Sequence, residues 1–188
     1  MINNIARDLK EPVPYQPWAE QLYKQRVADN AKGDPGAQCI VEGVPRANIV
    51  PYPFKILQMP NVTVILYEAI HSYRQVFTDG RAHPADPDPA WYGYSIGRWE
   101  GDTFAVETTG FRDGGWLDSS GKPATDALRV TERFRRRDFG RMDIEVTIDD
   151  PKAYTKPWTV NMPLTLVPDS ELLEFMCNEN NKYNELVK

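Results

Sequence analysis

The chain has 188 residues, 41% of them hydrophobic, and its 22 Lys+Arg against 27 Asp+Glu give a net charge of −5. That composition excludes wholesale disorder and fits one globular domain, and the negative balance argues against a nucleic-acid binder, which gains affinity by neutralising phosphates. The longest apolar run, Val62-Thr63-Val64-Ile65-Leu66, is far short of the roughly 20 residues a membrane helix needs, so no membrane span is expected.

Residues 1–53 read as a proline-rich lead carrying Pro12, Pro14, Pro17, Pro45, Pro51 and Pro53. One helix is expected over 18–31, with Pro17 at its first position, Trp18 and Leu22 on one face, and Gly33 as the stop. Residues 54–188 read as strands. Segments 55–59 and 62–77 come first, then 92–100 and 103–111 around a Gly101-Asp102 turn. Leu128, Val130 and Phe134 alternate with arginines and threonines; Met142, Ile144, Val146 and Ile148 alternate with polar residues; so do Trp158, Val160, Met162 and Leu164. Such a period of two marks half-buried strands. Segment 172–177 completes about eight strands, joined mostly by short hairpins. The expectation is an all-β fold, a lipocalin- or calycin-like antiparallel β-barrel of about eight strands with one N-terminal helix. Closure removes exposed edges and leaves an interior for one small ligand. A two-sheet sandwich is the competitor.

Read as one strand, 62–77 puts Tyr67, Ala69, His71, Tyr73, Gln75 and Phe77 on one face, an aromatic lining with hydrogen-bonding heads. His71 there could act as general acid or base, although an aromatic packing face explains the same pattern. Glu68, between Leu66 and Ile70, and Glu132, between Val130 and Phe134, place carboxylates among apolar neighbours. Such groups need partners, for which Arg74 and Arg133 are available, or they serve acid–base chemistry. Tyr94 lies in the central strands. Trp116 and Asp118 share the loop Asp113-Gly114-Gly115-Trp116-Leu117-Asp118, either capping a barrel mouth or plugging the core. The Gly93-Tyr94-Ser95-Ile96-Gly97 match to a nucleophile elbow reads as chance, since a hairpin rather than a helix follows and both histidines precede the serine. Asp79, His83, Asp86 and Asp88 read as a solvated turn, so no metal is expected. Arg133, Arg135 and Arg137 read as a face paired with Asp143 and Glu145.

Longer strings carry a resemblance. They include Val44-Pro45-Arg46, Arg74-Gln75-Val76-Phe77-Thr78-Asp79-Gly80-Arg81, Tyr94-Ser95-Ile96-Gly97-Arg98-Trp99-Glu100-Gly101-Asp102-Thr103, Thr131-Glu132-Arg133-Phe134 and Phe175-Met176-Cys177-Asn178-Glu179-Asn180. Over about four-fifths of its length the chain resembles a large family of uncharacterised bacterial proteins, abundant in Acidobacteria and other soil bacteria. The resemblance implies export to the periplasm or beyond, because members usually carry a signal peptide; this sequence opens on Met1-Ile2-Asn3-Asn4 without one. It also implies lipocalin-like character. Cys39 and Cys177 are the only cysteines. In an exported chain they could pair; in the cytosol they would be two buried thiols.

The expected function is small-molecule binding, of an apolar or aromatic ligand, by a β-barrel of the bacterial cell envelope. Tyr67, Tyr73, Phe77, Tyr94, Trp116 and Arg74 are the expected ligand contacts. The alternative is a cofactor-free lyase, isomerase or cyclase using His71 with Glu132, Glu68 or Asp118. A packed structural or interaction protein is the third reading. No cofactor signal is present, and a homodimer is left open.

Overall fold

The computed structural model describes residues 4–179; Asn180 and the rest of the expected barrel range to 188 lie outside the described residues. The fold is all-β and barrel-like with one helix, α1 (Pro17–Ala28). Pro17 starts α1 as expected, but the helix stops early because Asn30 and Ala31 take positive φ values of 58° and 57°. Its buried side is Ala19, flanked by half-buried Leu22, Tyr23 and Arg26. Trp18 points outward instead, and its indole N–H donates to the Lys152 carbonyl at 2.8 Å. Short 3₁₀ turns follow at Pro35–Gln38 and Arg46–Asn48, the latter wholly buried.

The strands are β1 (Phe54–Met59), β2 (Val62–Tyr67), β3 (Ser72–Phe77), β4 (Tyr94–Glu100), β5 (Thr103–Thr109), β6 (Gly115–Trp116), β7 (Pro123–Ala124), β8 (Arg129–Arg136), β9 (Arg141–Asp149) and β10 (Trp158–Thr165). Eight of them form one sheet in the order β1-β2-β3-β4-β5-β8-β9-β10, curled into a half-barrel, while β6 and β7 make a small separate hairpin. Every neighbour in the large sheet is antiparallel except β3 and β4, which run parallel and share only the pairs Val76↔Ser95 and Phe77↔Ile96. The expectation of an antiparallel sheet joined mostly by short hairpins therefore fails at this seam, which the long connection 78–93 crosses.

The period-two pattern holds where it was strongest. Val130, Glu132 and Phe134 on β8, Ile144, Val146 and Ile148 on β9, and Trp158, Val160 and Met162 on β10 are all buried. Ile5, Ala19, Val44 and Ala47 of the lead join the same core, so the lead covers the inner face of the sheet and removes that apolar surface from water.

Segment 62–77 is not one strand. A turn at Ala69–His71 splits it, with Ile70 and His71 at φ values of 55° and 43°, so the chain reverses and Tyr67 pairs with Ser72. Reversal through a four-residue loop shifts the parity: Thr63, Ile65 and Tyr67 are buried before the turn, Arg74 and Val76 after it. Tyr73 is consequently 63% exposed, on the face opposite Tyr67.

Segment 172–177 is not a strand either. Residues 166–177 run as an irregular strap from the end of β10 to the side of β1. Lys55 pairs with Glu171 at 2.5 Å, the Glu68 carboxylate accepts the Leu173 N–H at 2.8 Å, and His71 Nε2 accepts the Phe175 N–H at 2.7 Å. Phe175 also meets Tyr52 edge-on at 5.0 Å. A disulfide between Cys39 and Cys177 ends the strap and closes a loop with a sequence separation of 138. Loop-closure entropy of that scale is worth about 4–5 kcal/mol. Replacing both cysteines by serine is expected to lower the unfolding free energy in guanidinium by about that amount, and reductant is expected to do the same to the wild type but nothing to the variant.

Candidate functional site

Two arrangements of polar groups stand out, one sealed and one open. The sealed one is built on the sheet's inner face. Arg74 on β3 donates to Glu132 Oε2 on β8 at 2.5 Å, to Thr108 Oγ1 on β5 at 2.6 Å and to Ser95 Oγ on β4 at 2.9 Å. Asn48 from the lead donates to Glu132 Oε1 at 2.6 Å and accepts the Tyr67 hydroxyl at 2.9 Å. Arg74, Glu132, Ser95, Thr108, Asn48 and Tyr67 are all buried. Burial works against the Arg74 charge, but Glu132 and Tyr67 beside it together outweigh that and raise its pKa above the ordinary arginine value. Tyr67 stacks on Tyr92 at 5.4 Å, and burial pushes the Tyr92 phenol up to about 12. These groups bond one another and lie away from solvent, which is the pattern of a register-fixing network.

The open arrangement lies beside the half-barrel, between the lead and residues 91–128. Two adjoining hollows of about 20 Å³ and about 10 Å³ share Glu42, Trp91, Gly115 and Trp116 as walls. The larger adds Phe111, Arg112 and Leu117, the smaller Arg46. A space of that size admits about one water. Gly43, at φ +66°, lets the backbone pass against the Trp91 carbonyl, where a side chain has no room. Gly36 similarly leaves space for the Glu42 carboxyl. Arg46 forks onto Asp34 at 2.8 and 2.9 Å and also contacts Glu42 through Nε. Burial raises the Glu42 pKa to about 7; Arg46 opposes this and Asp34 adds to it. Arg112 lies over the Trp91 ring at 5.6 Å and Arg26 over the Trp116 ring at 4.4 Å.

The expected site residues do not converge. Glu132, Arg74 and Tyr67 belong to the sealed network. Asp118 is buried with Lys122, its carboxylate 2.9 Å from Nζ. His71 and Glu68 hold the strap, and His71 is exposed. Phe77 and Tyr94 stack at 5.2 Å on the outer face, with Arg81 over Phe77 at 4.0 Å. Trp116 alone of the expected ligand contacts lines the cleft. Glu42, Arg46 and Arg112 were not anticipated, because they sit in irregular segments where no periodicity marks a buried carboxylate; Gly36 and Gly43 are the local signals of close packing.

The remaining sequence readings fall into place around these sites. Ser95 is fully buried against Arg74 and Thr108, so it is no exposed nucleophile. Asp79 pairs with Arg81 at 2.5 Å, and His83 Nδ1 contacts Thr109 Oγ1 at 3.2 Å. Arg133, Arg135 and Arg137 pair with Glu100, Asp102 and Asp143 respectively, so Glu100 and Asp102 of the β4–β5 hairpin take two of the places expected for the next strand. No helix among the described residues is long and apolar enough to cross a membrane, and no group of three or more His, Cys, Asp or Glu among them is placed to hold a metal ion.

Comparison of the chain with protein-family models, with curated proteins and with solved structures yields no match, so the geometry itself carries the reading. Two outcomes are expected from it. Arg74→Met strands a buried carboxylate and is expected to cost about 3–5 kcal/mol in chemical denaturation, with much of that recovered when Glu132→Leu is added. The second concerns Glu42, whose folded-state pKa lies above its ordinary 4.5. Its contribution to stability is complete below about pH 4.5 and is lost as pH rises to about 7, by up to about 3 kcal/mol. Subtracting the Glu42→Gln stability profile from that of the wild type is expected to show a fall over this window and nowhere else.

Proposed function

We propose that the chain is a small-molecule-binding protein of the bacterial envelope whose ligand seat is the cleft between Trp91 and Trp116. The single observation that carries this is the meeting of two indole walls with a carboxyl whose pKa is near neutrality. Aromatic walls with one or two oriented polar groups are the usual makings of a ligand site. The inner face of the half-barrel is a poorer seat, since Val76, Val106, Val130, Ile144 and Glu132 close it. The ligand class is a planar apolar or aromatic ring bearing a hydrogen-bonding group for Glu42. The hollow is smaller than a ring, so the exposed Arg112 swings off Trp91 as the ligand enters. The Cys39–Cys177 bridge supports residence in an oxidising compartment.

A second reading shares the same cleft. A carboxyl half-protonated at neutral pH can give and take a proton, so Glu42 is the acid–base group of a cofactor-free lyase or isomerase. In that role it replaces His71, whose ring nitrogen is engaged by the strap.

The test uses 8-anilinonaphthalene-1-sulfonate, an aromatic anionic fluorophore. Saturable enhancement is expected with the wild type, at least tenfold weaker with Trp91→Ala and unchanged with Tyr73→Ser. Absence of saturation, or equal affinity in Trp91→Ala, would overturn the proposal.

A further inference from the structure

We propose that the chain forms an internal amide cross-link between the side chains of Lys122 and Asn4, made by the folded protein itself with release of ammonia. The observation is a buried constellation none of whose members lines the cleft. Lys122 is 2% exposed, and its Nζ lies 2.8 Å from Asn4 Oδ1, 2.9 Å from Asp118 Oδ2 and 2.8 Å from Ser120 Oγ. That contact is with the oxygen bonded to the amide carbon, so the amine stands beside the carbon it would attack. The groups a transamidation needs surround that carbon.

Asp118 is the proton carrier. It is fully buried, and its Oδ2 also accepts the Ile5 N–H at 2.9 Å, which pins the residue after Asn4 and so holds amide and amine together. Its Oδ1 is held by the Ser120 N–H at 2.9 Å and the Ser120 hydroxyl at 2.6 Å, leaving Oδ2 aimed at Nζ. The Ala6 N–H donates to Asn4 Oδ1 at 2.9 Å, at the oxygen where negative charge develops during attack. The Tyr23 ring lies 4.9 Å from Nζ and stacks on Tyr15 at 5.3 Å, so aromatic walls limit water that would hydrolyse an activated amide.

The step balances without an oxidant or a further reactant. Nζ passes a proton to Asp118 Oδ2, and the neutral amine attacks Asn4 Cγ to give a tetrahedral centre whose oxygen rests on the Ala6 N–H. The protonated Asp118 gives its proton to Nδ2, and its freed Oδ2 takes the second proton, which the attacking nitrogen loses as the bond forms. The Cγ–Nδ2 bond then breaks, and the departing ammonia takes that second proton from Asp118 and leaves as ammonium. The product is a Lys122 Nζ–Asn4 Cγ amide, with Asp118 returned to its starting state. The link would tie the start of the lead to the loop entering β7, closing a second large covalent ring beside that of the disulfide.

The experiment is intact mass spectrometry of the full folded chain after reduction of its disulfide, followed by tandem sequencing of a protease digest. The expected mass is lower than that of the reduced sequence by one ammonia, and the expected digest contains a branched peptide joining the segment with Asn4 to the segment with Lys122. Asn4→Ala, at a half-buried position near the chain's start, is expected to show its full sequence mass and both segments unlinked. A wild type that keeps its sequence mass after prolonged incubation in the folded state would sink the proposal. Ammonia loss that maps to a succinimide at any asparagine, with Lys122 free, would sink it equally.

Discussion

The salt link between Arg74 and Glu132 is the constraint on which the sheet depends. Between β3 and β4 the ladder is parallel and only two residue pairs long, whereas the other adjacent strands of the large sheet are paired over six or more residues. This short seam would be the natural place for the half-barrel to open. Arg74 crosses it. From β3 its guanidinium reaches Ser95 on β4, Thr108 on β5 and Glu132 on β8, so one side chain ties four strands through charge-assisted hydrogen bonds. Desolvating two charges is costly, and the return is a fixed register. The same network fixes the lead, because Asn48 completes the Glu132 carboxylate and holds the Tyr67 hydroxyl.

The lead is then part of the sheet's chemistry and not a passive extension. Its 3₁₀ turn at Arg46–Asn48 faces two ways: Asn48 enters the sealed network, while Arg46 turns to Asp34 and Glu42 at the cleft. Two residues apart, one backbone turn positions both polar assemblies. That coupling explains why the open hollow lies at the border of lead and sheet rather than inside the curl.

The legible part of this architecture was the part with period. β8, β9 and β10 alternate cleanly, and Glu132 stood out as a carboxylate in an apolar row with Arg74 already named as an available partner; both belong to the network observed. The turn at Ala69–His71 was invisible because its positive-φ residues are an isoleucine and a histidine, not the glycine or asparagine that signals such a conformation. The turn reverses the faces of everything from Ser72 to Phe77, so Tyr73 lies outside the interior that unbroken alternation predicts. Segment 172–177 carries the apolar residues of a strand, but its actual partners, single acceptors on Glu68 and His71, provide no ladder. The acidic group of the cleft escaped notice for the complementary reason: burial created by chain crossing leaves no trace in local spacing.

The position of the disulfide has one more consequence. Cys39 precedes every strand of the sheet and Cys177 follows them all, so the ring that the bond closes contains the whole half-barrel. Unfolding of any strand therefore leaves a closed ring rather than an open chain, and the two flanks of the sheet, lead and strap, stay tethered to each other while the rest lets go.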